Sequence, residues 1–192
     1  LPHAYTPHEL SAIVETITPD TLVYTVDCAL GVPEFLAKGI PVTTIDHHIS
    51  VKDELSARAA ENQKYTFVFD ESKSGASLSW SYFFPDEPMP VIIAHIEDAD
   101  LWKWRLGGNT KHIGNFLSMS RNHHDGMLRH IEGDIEHIIT MGKILTSYAD
   151  GEIAYQLARE PIKIKIGEHL VHAYNITTYE SATGNILSEK LG

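Results

Sequence analysis

One short segment constrains the fold of this chain more than any other. Residues 41–48 read Pro-Val-Thr-Thr-Ile-Asp-His-His, so an apolar, β-branched run ends abruptly in Asp46, His47 and His48. A buried strand of a parallel sheet has this composition, and in open α/β sheets ligands bind at the carboxyl ends of the strands. We therefore expect these three side chains to lie at a ligand-binding edge of a sheet.

Similar apolar segments occur on both sides of this run and alternate with segments of helical periodicity. The predicted strands span 21–27, 41–45 and 65–70, and the predicted helices span 8–17, 32–38 and 74–84. Strands that alternate with helices are joined by right-handed crossovers and form a parallel sheet with helices on both faces. The predicted fold class is therefore α/β, with a parallel β-sheet flanked by helices.

The pattern changes in the second half of the chain. A helix is predicted to begin at 91–96, residues 110–159 are mostly helical in pattern, and Pro161 ends this part. Two short strands and a final helix follow, which are too few elements to bury their own faces. We predict a sheet domain at 1–118, a helical linker at 119–160, and the beginning of a second α/β domain at 161–192.

Charge and composition exclude several classes of function. The chain carries 26 acidic and 15 basic residues, a net charge of −11, which opposes binding to long duplex nucleic acid through its phosphates. No apolar run is long enough to span a bilayer, so no membrane partner is expected. The single Cys28 predicts a reducing compartment such as the cytoplasm. An acidic protein that handles phosphates needs another source of positive charge, and a divalent metal supplies it.

Acidic side chains follow two successive predicted strands. Asp27 comes directly after the first, as Asp46 comes after the second, and neighbouring parallel strands would bring the two ends together. Carboxylates with imidazoles suit manganese, zinc, cobalt or magnesium, and the lack of thiolates argues against structural zinc. The alternative is that Asp27 caps the next helix and that the histidines lie in a polar loop.

Several motifs, in this order along the chain, resemble those of the DHH phosphoesterase superfamily. They are Val-Asp at 26–27, Thr-Ile-Asp-His-His at 44–48, Lys-Ser-Gly-Ala-Ser at 73–77, and Ile-Glu-Asp-Ala-Asp-Leu-Trp-Lys-Trp at 96–104. Members of this superfamily include exopolyphosphatases, manganese pyrophosphatases, single-strand exonucleases, oligoribonucleases and cyclic-dinucleotide phosphodiesterases. The resemblance is strongest over residues 22–104, which would make residues 1–118 a DHH-type catalytic domain.

The resemblance implies a set of metal ligands. Asp27 would bridge two metal ions, His47 would bind one of them, and Asp98 would supply a further carboxylate, with Asp100 as the less favoured candidate. The implied metal is Mn²⁺, as two ions in an intact site, with Mg²⁺ or Co²⁺ as alternatives.

The resemblance also implies roles around the metal and the substrate. Asp46 would orient the histidine pair by hydrogen bonding, and His48 would contact the substrate phosphate, so that both serve catalysis. Ser74 and Gly75 would let the backbone approach the substrate. The equally weighted alternative is that they are small residues at a helix start that packs on the sheet.

Two motifs of the superfamily have no counterpart here. The first motif, with an Asp-x-Asp pair, is expected before residue 1, and the glycine-rich loop of the second domain is expected after residue 192. The expectation is a chain truncated at both ends, which lacks several metal donors and is weak or inactive alone.

The leading functional prediction is a metal-dependent phosphoesterase acting on a phosphodiester or phosphoanhydride. The predicted partner is a small phosphate or short oligonucleotide, of the oligonucleotide, cyclic dinucleotide or polyphosphate class, and a homodimer is left open. The alternatives are a catalytically incomplete relative that binds a nucleotide or a partner, and a receiver-like signalling domain.

Two further patterns leave alternatives open. The aromatic residues near these motifs are predicted to pack in the core, with stacking on nucleic-acid bases as the alternative. They are Trp80, Phe83, Phe84, Trp102 and Trp104. A second histidine pair lies within residues 121–126, where the residue types favour a solvated turn.

Overall fold

A computed structural model describes residues 7–119 and 133–191, and the chain divides into two compact units, Leu1–Thr110 and Lys111–Gly192. The elements of the first unit are α1 (Pro7–Thr16), β1 (Val23–Val26), α2 (Val32–Ala37), β2 (Val42–Asp46), α3 (Ile49–Glu61), β3 (Tyr65–Phe69), α4 (Gly75–Phe83) and α5 (Val91–Asp100). Helix α6 (Gly108–Ser118) begins before the unit boundary and ends after it. The remaining elements are α7 (Ile135–Leu157), β4 (Ile162–Ile166), β5 (His169–Ala173) and α8 (Glu180–Leu191).

The first unit contains a three-stranded parallel sheet in the order β1-β2-β3. The register pairs Val23 with Val42 and Val42 with Tyr65, so the three strands begin side by side and end at the same edge. Helices connect the strands and flank the sheet. The predicted α/β class with a parallel sheet and flanking helices is therefore confirmed at this level.

One face of this sheet is the main hydrophobic core. Side chains alternate between the two faces of a strand, so Val42 and Thr44 of β2 point to one face and Thr43 and Ile45 to the other. The buried cluster on the Val42 side joins β2 and β3 to α1, α2 and α3. It comprises Leu10, Val14, Val32, Phe35, Ile40, Val42, Leu55 and Tyr65.

The opposite face of the sheet is covered differently. Helix α4 packs on β2 and β1 there, and Ile45 is fully buried. Strand β1 lies at the edge of the sheet, where Tyr24 and Val26 stay partly exposed. The interpretation of residues 21–27 as a buried strand is therefore wrong for these two side chains, because an edge position leaves one face of the strand open to solvent, although Thr25 is buried.

The aromatic residues predicted to fill the core mostly do not. Phe83, Phe84, Trp102 and Trp104 are all exposed, which makes the core prediction wrong for them. Phe83 and Phe84 stand at the carboxyl end of α4, and the two tryptophans lie beyond the end of α5. Helical spacing places residues on a buried face only while the helix continues, and both helices end here.

In the second unit, residues of α6 pack closely against α7. A Cβ atom added at Gly142 of α7 would lie 2.1 Å from the backbone oxygen of His112. Only glycine permits this approach. Thr146, one turn along, accepts a hydrogen bond from the Asn115 side chain at 3.0 Å and donates to the Gly142 carbonyl at 2.7 Å.

The predicted β-hairpin is present in the second unit. Strands β4 and β5 are antiparallel and are joined through Gly167, whose φ of 58° is left-handed. The helix predicted near the end of the chain is α8. Helix α3 is not among the predicted elements, because Leu55 is its one fully buried residue and its apolar periodicity is weak.

The predicted domain limits at 118 and 160 stay predictions, as do the assignment of a DHH-type domain and the start of a second α/β domain. The predicted linker includes residues 120–132, and the second histidine pair at 121–126 lies outside the described residues. Among the helices of the described ranges, none combines the length and the apolar character needed to cross a bilayer.

Candidate metal centre

The carboxyl end of β1 places Asp27 in an unusual backbone conformation. Its N–H donates to the Ile45 carbonyl at 2.9 Å, which continues the β1–β2 ladder by one residue. Its φ of 58° then turns the chain into the left-handed region, which aspartate tolerates better than most residues. The side chain of Asp27 is held beyond the end of the sheet and stays half-exposed.

The carboxyl end of β2 is organised by Asp46. This residue is 1% exposed, and its Oδ1 accepts the backbone N–H of His47 at 2.7 Å and of His48 at 3.1 Å. The same oxygen contacts Nδ1 of His48 at 2.6 Å. Asp46 therefore fixes the backbone at both histidines and the imidazole of His48, whereas the His47 imidazole contacts Asp27 and Asp100 instead.

His47 is the point at which the site converges. Its Nε2 lies 3.2 Å from Oδ1 of Asp27 and 3.3 Å from Oδ2 of Asp100, the last residue of α5. The imidazole itself is largely buried, whereas the two carboxylates are partly open to solvent. Two strand ends and one helix end thus bring one nitrogen and two carboxylates together.

A glycine makes room for this arrangement. A Cβ atom at Gly75, the first residue of α4, would lie 2.5 Å from Oδ1 of Asp27. Ser74 precedes it as the N-cap of α4 and forms a capping box with Ser77. Of the predicted substrate residues at the start of α4, Gly75 lies against Asp27, and Ser74 is buried in the helix cap.

The structure places Asp100, and not Asp98, beside His47. Asp98 is 4% exposed, and its carboxylate accepts the N–H groups of Arg105 at 2.7 Å and Leu106 at 3.1 Å. It also accepts the hydroxyl of Thr110 at 2.6 Å. The carboxylate is fully engaged in holding the loop after α5, so the two candidates exchange their predicted order.

Helical spacing alone does not separate the two acids. The buried residues of α5 are Ile92, Ile93, His95 and Asp98. Asp100 is seven positions after Ile93, which is the spacing of a single helix face, so periodicity does not mark it as the exposed acid. What separates Asp98 is the set of hydrogen bonds that it accepts in the folded loop.

The electrostatics of the cluster are unfavourable without a cation. Burial raises the pKa of the Asp27 carboxyl above its ordinary value, and the neighbouring Asp100 carboxylate raises it further, against the opposing effect of His47 and His48. The hydrogen bond to Asp46 raises the pKa of His48. Negative charge concentrated beside His47 is the environment that a metal ion stabilises.

The donor set fits one divalent ion. Two ligand atoms at about 2.1 Å from an ion lie about 3.0–3.4 Å apart, which matches the two distances from His47. Ligand atoms from Asp27, Asp46, His47 and His48 all lie within 4.8 Å of one another. That group does not include Asp100, whose link to the cluster is its 3.3 Å contact with Nε2 of His47. Asp46 already accepts three hydrogen bonds, so Asp27 and His47, joined by Asp100 through this contact, are the residues that could hold the ion.

His48 is placed on the open side of this cluster. Its side chain is 52% exposed, and Nδ1 is held by Asp46. Its other ring nitrogen, Nε2, has no hydrogen bond to any residue of the described ranges. The imidazole is therefore fixed at one end and open at the other, as a group that contacts a bound anion requires.

Comparison with known proteins adds one sequence relative. No family model matches the chain, and no solved structure matches it. The chain is similar to "Uncharacterized protein R106" of Acanthamoeba polyphaga mimivirus, with 38% identity over 72 residues. That stretch covers 38% of this chain and 16% of the viral protein. The name of this relative states no activity.

Proposed function

We propose that this protein is a metal-dependent phosphoesterase that hydrolyses a phosphodiester or phosphoanhydride bond. The observation that carries this proposal is the convergence of Asp27 and Asp100 on Nε2 of His47 at the carboxyl edge of a parallel sheet. The ordered likeness of residues 22–104 to the motifs of the DHH phosphoesterase superfamily supports the same reaction.

Asp27, His47 and Asp100 would hold the metal. A divalent ion at such a site polarises phosphoryl oxygens and activates water for attack on phosphorus. The oxygen-rich donor set, with one imidazole and no thiolate, suits Mn²⁺, with Mg²⁺ and Co²⁺ as alternatives. Three donors suit one ion, so a two-ion site would need ligands beyond this cluster.

The remaining residues of the site bind and orient. Asp46 fixes the ring of His48 through Nδ1, so that Nε2 can donate to a phosphate oxygen. The raised pKa of His48 favours its protonated form, which binds an anion better than a neutral ring does. Gly75 leaves space for the Asp27 carboxylate and for a substrate near the start of α4.

Metal binding and hydrolysis by the same protein test this proposal. We expect isothermal titration to give one Mn²⁺ per chain, and we expect Mn²⁺-dependent release of nitrophenol from bis(4-nitrophenyl) phosphate. Asp27→Ala should abolish both, because it removes a ligand that faces His47. Asp27→Asn repeats the test with a residue that keeps the left-handed backbone conformation.

The matched control is Asp53→Ala, which removes an exposed acid from α3. It should retain metal binding and hydrolysis. Unaltered turnover in Asp27→Ala would refute the assignment. Metal binding without hydrolysis of any phosphoester would instead favour the second candidate, a relative that binds a nucleotide or a partner without turnover. The observation that favours this candidate is the donor count, since three ligands suit one ion.

A further inference from the structure

Two tryptophans are exposed in the loop that follows Asp100. Trp102 is 49% exposed and Trp104 is 45% exposed, although indole is among the side chains that bury the most area in a folded core. Their ring centroids lie 5.6 Å apart with an interplanar angle of 79°. The rings meet edge to face, so they do not stack on each other and leave ring faces open.

The backbone under both side chains is strained. Trp102 and Trp104 each have a φ of 51°, in the left-handed region that bulky residues rarely adopt. Strained conformations persist only where the surrounding structure enforces them, and they concentrate at functional sites. Here two residues of this kind lie one residue apart, and both are aromatic and exposed. Reversal of the chain alone does not require exposed aromatic residues at these positions.

The loop is held in this conformation by buried groups. The Asp98 carbonyl accepts the N–H of Lys103 at 2.9 Å and of Trp104 at 3.4 Å, and its carboxylate holds the two following amides. The Lys103 ammonium donates to the Ser72 carbonyl at 3.0 Å and to Glu97 at 3.2 Å. The loop is thus fixed before any ligand arrives, which makes the exposed rings a preformed surface.

The position of the loop relates these rings to the candidate metal centre. Trp102 is two residues from Asp100, so their Cα atoms lie within about 7 Å of each other. The exposed Arg105 guanidinium pairs with no residue of the described ranges. A ligand that combines phosphate with a planar aromatic ring would use the metal, this cation and the indoles together, and nucleotides have that chemistry.

We propose that Trp102 and Trp104 form a stacking site for a nucleobase of the substrate. The inference rests on the proposed phosphoesterase function and narrows its substrate to nucleotides or short oligonucleotides, as opposed to inorganic polyphosphate. Stacking also suits a chain of net charge −11, because a base brings affinity without adding negative charge. Every base has a π-face, so such a site accepts different bases.

Equilibrium binding of two probes tests the stacking site separately from hydrolysis. Adenosine 5′-monophosphate and ribose 5-phosphate carry the same phosphate and sugar and differ in the base. We expect the wild-type protein with Mg²⁺ to bind the nucleotide at least about 10-fold more tightly, the order expected for one base on an aromatic side chain. Trp102→Ala and Trp104→Ala should reduce that ratio toward one and leave the affinity for ribose 5-phosphate unchanged.

Two further variants guard against loss of folding. Trp102→Phe keeps an aromatic face and should restore most of the preference for the nucleotide. Trp80→Phe is the matched control, because Trp80 belongs to α4 and stacks on Phe84 at 4.5 Å, and this variant should retain the wild-type ratio.

The outcomes separate the two proposals. A wild-type protein without preference for the nucleotide, or a preference that survives both alanine variants, would overturn the stacking site even if bis(4-nitrophenyl) phosphate is hydrolysed. A tryptophan-dependent preference without any hydrolysis would support the stacking site and count against the phosphoesterase. Failure to bind either probe would overturn the stacking site.

Discussion

Asp98 and Asp100 are two residues apart on α5, and they lie in opposite surroundings. Asp98 is buried and accepts three hydrogen bonds from Thr110 and from two loop amides. Asp100 is exposed and faces His47 together with a second carboxylate, Asp27. A buried acid whose partners are all supplied by the protein stabilises the fold, whereas burial and the Asp100 carboxylate raise the pKa of Asp27, so added positive charge would be favourable there.

Removal of each acid in turn tests this difference with the largest expected effect. Asp98→Ala leaves the Thr110 hydroxyl and two loop amides without their acceptor, so we expect the midpoint of thermal unfolding to fall by about 10 °C. Asp100→Ala removes an unfavourable like-charge contact and should leave the midpoint of the metal-free protein unchanged or slightly raised. Differential scanning calorimetry of the metal-free proteins measures both changes.

Metal titration completes this comparison. Asp100→Ala should lose Mn²⁺ affinity, whereas Asp98→Ala should retain it at a temperature where the variant is folded. Equal loss of Mn²⁺ affinity in the two variants would show that the distinction between a structural and a ligating acid is wrong.

Two glycines, Gly142 and Gly75, test the same distinction between structural residues and residues of the candidate metal centre. A Cβ atom added at either glycine would overlap a neighbour. Gly142→Ala would place Cβ 2.1 Å from the backbone oxygen of His112, and a backbone cannot move as a side chain can. We expect a loss of about 2 kcal/mol in the free energy of unfolding, because overpacking outweighs the higher helix propensity of alanine. Urea denaturation measures this loss.

Gly75→Ala meets a side chain instead, at 2.5 Å from Oδ1 of Asp27. The carboxylate can rotate aside, but the Asp27 Cβ would lie 2.7 Å away and moves only with its backbone. We therefore expect a loss of stability smaller than that of Gly142→Ala. Mn²⁺ affinity should fall by about 10-fold or more, the usual range for changes behind a metal ligand. A large loss of stability with unchanged Mn²⁺ affinity would mean that Gly75 serves helix packing and not the site.

The parts of the structure that sequence predicted are those encoded locally. The apolar run before Asp46 and the alternation of strands with helices predicted the parallel sheet, and the strand ends predicted the meeting of Asp27 with His47. The sequence favoured Asp98 over Asp100 because the hydrogen bonds that occupy Asp98 form only in the folded loop. The exposure of Trp102 and Trp104 was missed because a left-handed loop has no periodicity to detect.

The smallest expected effect concerns two residues linked to Asp98 by hydrogen bonds, Thr110 and His95. The Thr110 hydroxyl donates to Asp98 and therefore accepts from Nδ1–H of His95, at 2.9 Å, so that Nε2 is the nitrogen that would take up a further proton. Burial lowers the pKa of His95 below its ordinary value, although Asp98 opposes the shift. The unfolded chain then binds a proton that the folded protein does not, so stability is lost as the pH falls from about 6.5 toward the folded pKa.

Replacement of this histidine should flatten the pH dependence of stability. His95→Gln keeps a donor toward Thr110 and cannot titrate, so its free energy of unfolding should fall less than that of the wild type between pH 7.5 and pH 5. Urea denaturation at several pH values measures both slopes, and His169→Gln on the exposed strand β5 is the matched control. Identical slopes for the wild type and His95→Gln would show that folding does not lower the pKa of His95. The folded protein would then tolerate a charge on His95. Asp98 would differ from Asp100 only in the hydrogen bonds that it accepts.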